Sequence, residues 1–178
     1  MIVVDLLKID DSNPACSYAR PFLFTVSSHS FTMFAGMNIL FLCTGNSCRS
    51  QMAAGFARTY FPDAHVASAG IEAHGLNPKA VAVMHEVGID ISTQPSQTID
   101  ELPAVPWDLA VTVCDSAREH CPVFPGSRMT HISFDDPPRL TQGMSTEDAL
   151  PVYRRVRDEI AAMVRELPTH LTSSKETP

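Results

Sequence analysis

Residues Asn38 to Arg58 read NILFLCTGNSCRSQMAAGFAR, and this stretch decides the fold. Ile39 to Leu42 form a continuous apolar run, the pattern of a strand buried in a parallel sheet. Gly45 and Asn46 follow, two residue types that tolerate a tight, partly left-handed turn. A helix is expected to begin near Arg49 or Ser50. Successive backbone N–H groups of such a turn face inward, and the unpaired N–H groups and dipole at the helix start add positive potential to the same concavity. The result is a cradle for a tetrahedral anion, which the guanidinium of Arg49 can close with two parallel hydrogen bonds. Cys43 ends the strand beneath that loop, in a field that favours its nucleophilic thiolate.

A Gly-Asn turn between strand and helix is common, and most strand cysteines are small buried hydrophobes. The joint pattern of strand, cysteine, five-residue turn, arginine and helix favours the reactive reading.

At 178 residues, 44% hydrophobic and 19% charged, the chain has the size and composition of one globular domain. The net charge of −7 argues against a nucleic acid or an anionic membrane as a partner. Anion binding must therefore be local. No apolar run approaches the roughly 20 residues needed to span a bilayer. Five cysteines, at 16, 43, 48, 114 and 121, are an odd number in a chain too large to need a disulfide framework. Catalytic or metal roles in a reducing cytoplasm are the expectation.

Residues 1–36 form an arm with no place in a core. MIVVDLLKID could make a short strand, Asp10 to Pro14 a turn and Ser27 to Ser30 a loop. The acidic Asp5, Asp10 and Asp11 spoil a secretory leader, which leaves an accessory or disordered arm, or a start assigned too early with Met37 as the true beginning. From Met37 the pattern is regular: a helix carrying Met52, Ala53, Phe56 and Tyr60, then a second strand from His65 to Ala69. Asn77-Pro78 opens a helix with Val81, Met84, His85 and Val87 along it, and Gly88 closes it. His85 is read as a bland residue on or beside the apolar face. Asp108 to Val113 is a third strand ending at Cys114, and Met129 to Phe134 a fourth, delivering Asp135-Asp136-Pro137. Val152, Tyr153, Val156, Ile160, Met163, Val164 and Leu167 stripe a long final helix, and Thr169 to Pro178 reads as a frayed polar tail. The expected architecture is α/β: a three-layer α/β/α domain over residues 37–168 with a four-stranded parallel sheet. Cys43 and Cys114 both end strands, at the sheet edge where sites form.

Cys114 and Cys121 are seven residues apart, about 10.5 Å along a helix, beyond the roughly 7 Å between Cα atoms that a disulfide can span. Bridging them requires that helix to unwind, and Pro122 and Pro125-Gly126 make its end a plausible place to break. Zinc held by Cys43, Cys48, Cys114 and Cys121 is a competing reading, weakened by the wide second spacing and by Arg49 beside a ligand. Asp135-Asp136-Pro137 can be an Asx turn, or can supply a general acid at the thiolate's sheet edge. Of the two carboxylates Asp136 is favoured, because the proline ring biases it to an extended backbone.

CTGNSCRSQMA, SAGIEAHGLNPKA, EVGIDIS, VTVCDSAREHCP, HISFDDPP and YRRVRDEI together resemble the thioredoxin-coupled arsenate reductases, which share the low-molecular-weight protein tyrosine phosphatase fold. The likeness covers about Met37 to Leu167. It implies that Cys43 attacks arsenate, or binds phosphate or sulfate as an analogue, in a loop made of Thr44, Gly45, Asn46, Ser47, Cys48, Arg49 and Ser50. It further implies that Asp136 protonates the departing oxygen and that Ser50 hydrogen-bonds the nucleophile. Cys114 and Cys121 then complete a disulfide relay re-reduced by thioredoxin. Cys48 has no obligatory role in that cycle and is expected to pack, or to form an off-pathway disulfide with Cys43. Relatives that bind potassium near the loop use an asparagine, a glutamate, a serine and an aspartate. Here Asn46 and Ser68 match, but Ala54 and Gln97 replace the acids, which puts a bound potassium in doubt.

Two other functions compete. A tyrosine phosphatase would use the same loop through a phosphocysteine, but Pro138-Arg139-Leu140 lacks the tyrosines usual there, and Gln51 stands where those enzymes usually have proline. A non-catalytic anion-binding module has no need of Asp136 or of a reactive Cys43. Neither uses Cys114 and Cys121.

Overall fold

The computed structural model describes residues 34–120, 122 and 124–172. The expectations for residues 1–33, for Cys121 and for residues 173–178 lie outside the described residues. In order, the elements are β1 (Asn38–Cys43), α1 (Arg49–Tyr60), β2 (His65–Gly70), α2 (Pro78–His85), a 3₁₀ turn (Ile99–Glu101), β3 (Leu109–Thr112), α3 (Asp115–His120), β4 (Arg128–His131), α4 (Pro137–Leu140) and α5 (Thr146–Thr172). The four strands are parallel, in the order β2-β1-β3-β4.

β1 is central and buried on both faces, which is why its sequence reads as an unbroken apolar run. Ile39, Phe41 and Cys43 point into the larger core with α1, α2 and α5, whereas Leu40 and Leu42 pack with Ala67, Ala69, Trp107 and Ala110 on the other face. The two outer layers of the α/β/α plan are unequal: Ile99, Leu102, Val105 and Phe124, from the 3₁₀ turn and connecting loops, lie over the second face. α1 is buried from Ser50 through Ala57. α5 turns Tyr153, Val156, Ile160, Val164 and Leu167 inward, the stripe expected from the sequence.

Several boundaries differ from expectation for physical reasons. β4 stops at His131 rather than Phe134, because its only neighbour among the described residues, β3, ends at Thr112 and the last bond between them is Ile132 N–H to Thr112 O at 3.0 Å. α5 continues to Thr172 through Pro168, past the expected end at 168, since a proline removes one intrahelical bond while later residues keep theirs. Asn77 caps α2, its side chain accepting from the N–H groups of Lys79 and Ala80. The helix closes in a Schellman turn about Gly88, φ 77°, with Ile89 N–H on Met84 O and Gly88 N–H on His85 O. That turn carries Val87 out to solvent, while His85, the last residue of the helix, is exposed beside the apolar face, which consists of Ala80, Val83 and Met84.

The end of the arm does have a place in the core. Phe34 is fully buried with its ring centroid 4.3 Å from that of Phe61, and Gly36 N–H bonds Asp63 O at 2.9 Å. Among the described residues no helix is long and apolar enough to cross a membrane.

Candidate active site

The loop between β1 and α1 is shaped from outside. Glu72 N–H bonds Thr44 O, His74 N–H bonds Gly45 O and Asn77 N–H bonds Ser47 O, each at 2.9 Å. Because C=O and N–H of one trans peptide point in opposite directions, the N–H groups of Gly45, Asn46 and Cys48 turn away from that segment, toward the concavity. Asn46 makes the turn at φ 42°, the only positive φ of a non-glycine among the described residues. α1 starts at Arg49 with no side-chain cap and no acid in its first turn, leaving its N-terminal donors and dipole for an anion. Gly70, at the end of β2, lies so close beneath that an added Cβ would fall 2.7 Å from both Asn46 N and Thr44 O.

Within this frame the side chains form a directed chain. Asn46 Nδ2 donates to Ser50 Oγ at 2.9 Å, and Ser50 Oγ lies 2.9 Å from Cys43 Sγ. Ser50 already accepts from Asn46, so its own hydrogen is free for the sulfur. Arg49 donates to Phe134 O and pairs with Asp136 Oδ1, both at 3.0 Å. The two aspartates divide: Asp135 pairs with Arg155 of α5 at 2.7 Å, while Asp136, at the start of α4, makes no cap hydrogen bond and faces Arg49. Cys114 meets the loop through its Sγ, 3.3 Å from Thr44 Oγ1. A cavity of about 410 Å³ opens here, with Thr44, Arg49, Cys114, Asp136 and Arg139 in its wall.

Cys48 sits in the core, where burial first and then the neighbouring Cys43 push its thiol far above the ordinary value. A thiol that resists ionisation is a poor nucleophile, which suits packing. Cys43, Cys48 and Cys114 are free thiols. No group of three or more His, Cys, Asp or Glu side chains placed to hold a metal occurs among the described residues. Three of the residues considered for potassium do gather: Gln97 N–H donates to Asn46 Oδ1 at 2.9 Å, and Gln97 Nε2 to Ser68 O at 3.1 Å. N–H hydrogens occupy the oxygens a cation would need, and Ala54 offers no carboxylate, so the set does not fit potassium.

Sequence reasoning did not anticipate Arg139 in the wall, nor Gln51, which is fully buried and binds three oxygens around the loop. The available signal was a long polar side chain within the otherwise small and apolar first turns of a buried helix.

Residues 38–177 match the family described as low molecular weight phosphotyrosine protein phosphatase. The chain belongs to that family. Within this phosphatase family, the arsenate reductase of Bacillus subtilis (strain 168) is 53% identical over 130 residues, 72% of this chain and 92% of the relative. That of Halalkalibacterium halodurans is 51% identical over 129 residues, 71% and 91% of the two chains. A solved arsenate reductase in its phosphate binding state is 34% identical, covers 75% of this chain and 98% of its own, and superposes with a TM-score of 0.64. The family accounts for the four-stranded parallel sheet and the strand-loop-helix built around Cys43.

Proposed function

We propose that this enzyme reduces arsenate to arsenite, with Cys43 as nucleophile and a Cys43/Cys114/Cys121 relay re-reduced by thioredoxin in the cytoplasm. The observation that carries the reading is the second thiol at the cradle: Cys114 Sγ lies against Thr44 of the loop, a placement phosphate ester hydrolysis does not require. Curated relatives at about half identity bear the same activity in their names. The proposed working unit is residues 37–168, with 1–36 as an arm whose Phe34 enters the core.

Arsenate enters the cavity and takes the N–H groups of the loop from Thr44 to Ser50 together with the Arg49 fork. Arg49 is held by Asp136 in the free enzyme, so the incoming anion competes for it and releases the Asp136 carboxyl beside the oxygen that must leave. Cys43 sulfur bonds to arsenic as that oxygen departs, protonated by Asp136. The Cys114 thiolate then attacks Cys43 sulfur. A Cys43–Cys114 disulfide forms, the sulfur–arsenic bond breaks, and the electron pair leaves with arsenic as arsenite. Cys121 next attacks Cys114, freeing Cys43 and leaving a Cys114–Cys121 disulfide that the dithiol of thioredoxin reduces. Two thiols lose two electrons and As(V) gains two, so each turnover balances.

The test follows NADPH oxidation with thioredoxin, its reductase and arsenate. Wild type turns over, and Cys114→Ser and Cys121→Ser each abolish sustained turnover. Absent arsenate turnover in wild type, with fast aryl-phosphate hydrolysis that survives both substitutions, assigns the chain to phosphatase chemistry instead.

A further inference from the structure

The cavity at the anion loop carries three carboxylates in its wall, Asp115, Asp135 and Asp136, and two guanidinium groups, Arg49 and Arg139. Each carboxylate has a partner: Asp136 meets Arg49 at 3.0 Å, Asp135 meets Arg155 at 2.7 Å, and Asp115 meets His131 Nε2 at 3.2 Å. Arg49 is engaged twice, by Asp136 and by Phe134 O at 3.0 Å. Arg139 is exposed and, among the described residues, its guanidinium has no acidic or hydrogen-bonding partner. The backbone beneath it is fixed. Pro137 and Pro138 restrict the turn, Leu140 N–H bonds Asp136 O and Thr141 N–H bonds Pro137 O, both at 3.0 Å, and Thr141 Oγ1 donates to Pro137 O at 2.8 Å. A rigid mount therefore presents an unclaimed cation to the cavity. At about 410 Å³ that cavity is larger than one tetrahedral anion fills, so an anion can meet Arg139 before it displaces the Arg49–Asp136 pair.

A chain of net charge −7 repels a dianion over most of its surface, so entry depends on local cations. We infer that Arg139 is a second anion-binding residue of this site and selects for charge: it draws a doubly charged tetrahedral oxyanion into the cavity and stays beside it in the cradle as a second positive charge. Arg49 supplies paired hydrogen bonds only after the anion has displaced Asp136. Arg139 has no acid to give up and binds without that exchange. Arg155 holds Asp135, which removes a wall carboxylate that would otherwise compete for Arg139. Coulomb attraction scales with the charge of the ligand, so Arg139 favours a dianion over a monoanion of the same shape. The loop selects geometry and Arg139 selects charge. The inference rests on the reading of the loop as an anion cradle beside Cys43.

The experiment measures how well sulfate and perchlorate, tetrahedral anions of double and single charge, protect Cys43 from iodoacetamide in wild type, Arg139→Gln and Arg139→Lys. Alkylation of Cys43 is followed by mass spectrometry at constant ionic strength, first at about 0.05 M and then at about 0.5 M. At the lower value Arg139→Gln is expected to raise the sulfate Kd about four- to tenfold, and the perchlorate Kd by about the square root of that factor, two- to threefold. At the higher value screening reduces both effects to about twofold or less. Arg139→Lys keeps the charge and stays within about twofold of wild type. In arsenate turnover Arg139→Gln raises KM by about the sulfate factor with little change in kcat, the mark of binding shared by ground and transition states. Equal sulfate Kd values in wild type and Arg139→Gln overturn the proposal, as does an equal loss for the two anions or a loss that Arg139→Lys fails to restore. The alkylation readout needs neither turnover nor thioredoxin, so it judges Arg139 even if arsenate is not the substrate. Sulfate that fails to protect wild type sinks the cradle and Arg139 together, whereas protection equal in wild type and Arg139→Gln sinks Arg139 alone.

Discussion

Gly70→Ala perturbs the loop between β1 and α1 while leaving the identity of every other side chain unchanged. A Cβ at Gly70 would sit 2.4 Å from Glu72 O and 2.7 Å from both Asn46 N and Thr44 O, all of them backbone atoms. None can rotate away as a side-chain tip does. Reaching ordinary contact requires the loop and the end of β2 to separate by about 0.7 to 1 Å, an overpacking that costs about 1–3 kcal/mol. For a chain of this length that lowers the midpoint by about 2–12 °C. The kinetic effect falls in the same energy range but is easier to read, because a displacement of about 1 Å in a reacting group costs on the order of 100-fold in rate. Gly88→Ala is the control. Gly88 has φ 77° and, among the described residues, nothing within 4 Å of an added Cβ, so Gly88→Ala loses about 1–2 kcal/mol to backbone strain and leaves turnover intact. Thermal unfolding and arsenate-dependent NADPH oxidation are measured on both variants. If Gly70→Ala keeps kcat/KM within about twofold of Gly88→Ala, the loop is not held by close backbone contact and the reasoning fails.

Phe34→Ala empties a fully buried site against Phe61 and should cost about 3 kcal/mol, the low end for a buried phenylalanine. Urea unfolding reads it directly, and a loss under about 0.5 kcal/mol would mean that the folded unit begins at Met37. Glu86 binds Arg154 at 2.9 and 2.8 Å and Arg157 at 3.1 Å, tying α2 to α5. The hydrogen bond from Arg154 holds its carboxyl below the usual carboxylate range. A folded-state value depressed in this way gives stability that is present above the unfolded carboxylate pKa of about 4.3 and is lost as pH falls through the lower folded value. Glu86→Gln should therefore be less stable than wild type by about 1 kcal/mol or less at neutral pH, with the gap closing in acid. A gap that persists in acid would assign the loss to packing.

What the sequence conveyed depended on how local the cause was. β1, the loop and the start of α1 were legible because burial, turn and helix start all fall within one short segment, and the Asn77-Pro78 start of α2 because the cap is made of adjacent residues. β4 was overestimated because its end is set by β3, which lies elsewhere in the chain. Val87 was misplaced because a Schellman turn interrupts the helical period. The same holds in the site. Asp136 could be preferred over Asp135 from its proline, but the division of labour comes from Arg155, on α5, drawing Asp135 away. Gln51 was visible only as a departure at one position, since its three acceptors come from Asn46 and from Pro95, 44 residues distant.

The strand order explains how the proposed relay can be compact at one step and mobile at the next. β1 and β3 are neighbours, with Leu42 paired to Thr112 and Val113 N–H on Leu42 O at 2.8 Å. Adjacent strands lie about 4.8 Å apart, within the separation that disulfide Cα atoms adopt, about 4.4 to 6.8 Å. Cys43 and Cys114 leave these strands at the same edge, so their bond can form with the sheet intact. Cys121 follows α3, and a helical segment holds residues seven apart beyond bridging range. In the proposed relay the second exchange spans α3, whose six residues are too few to be stable as a helix alone. In the proposed relay the first disulfide thus calls only on the sheet edge, and the second on the short segment of α3, whose opening leaves Cys43 free for the next arsenate.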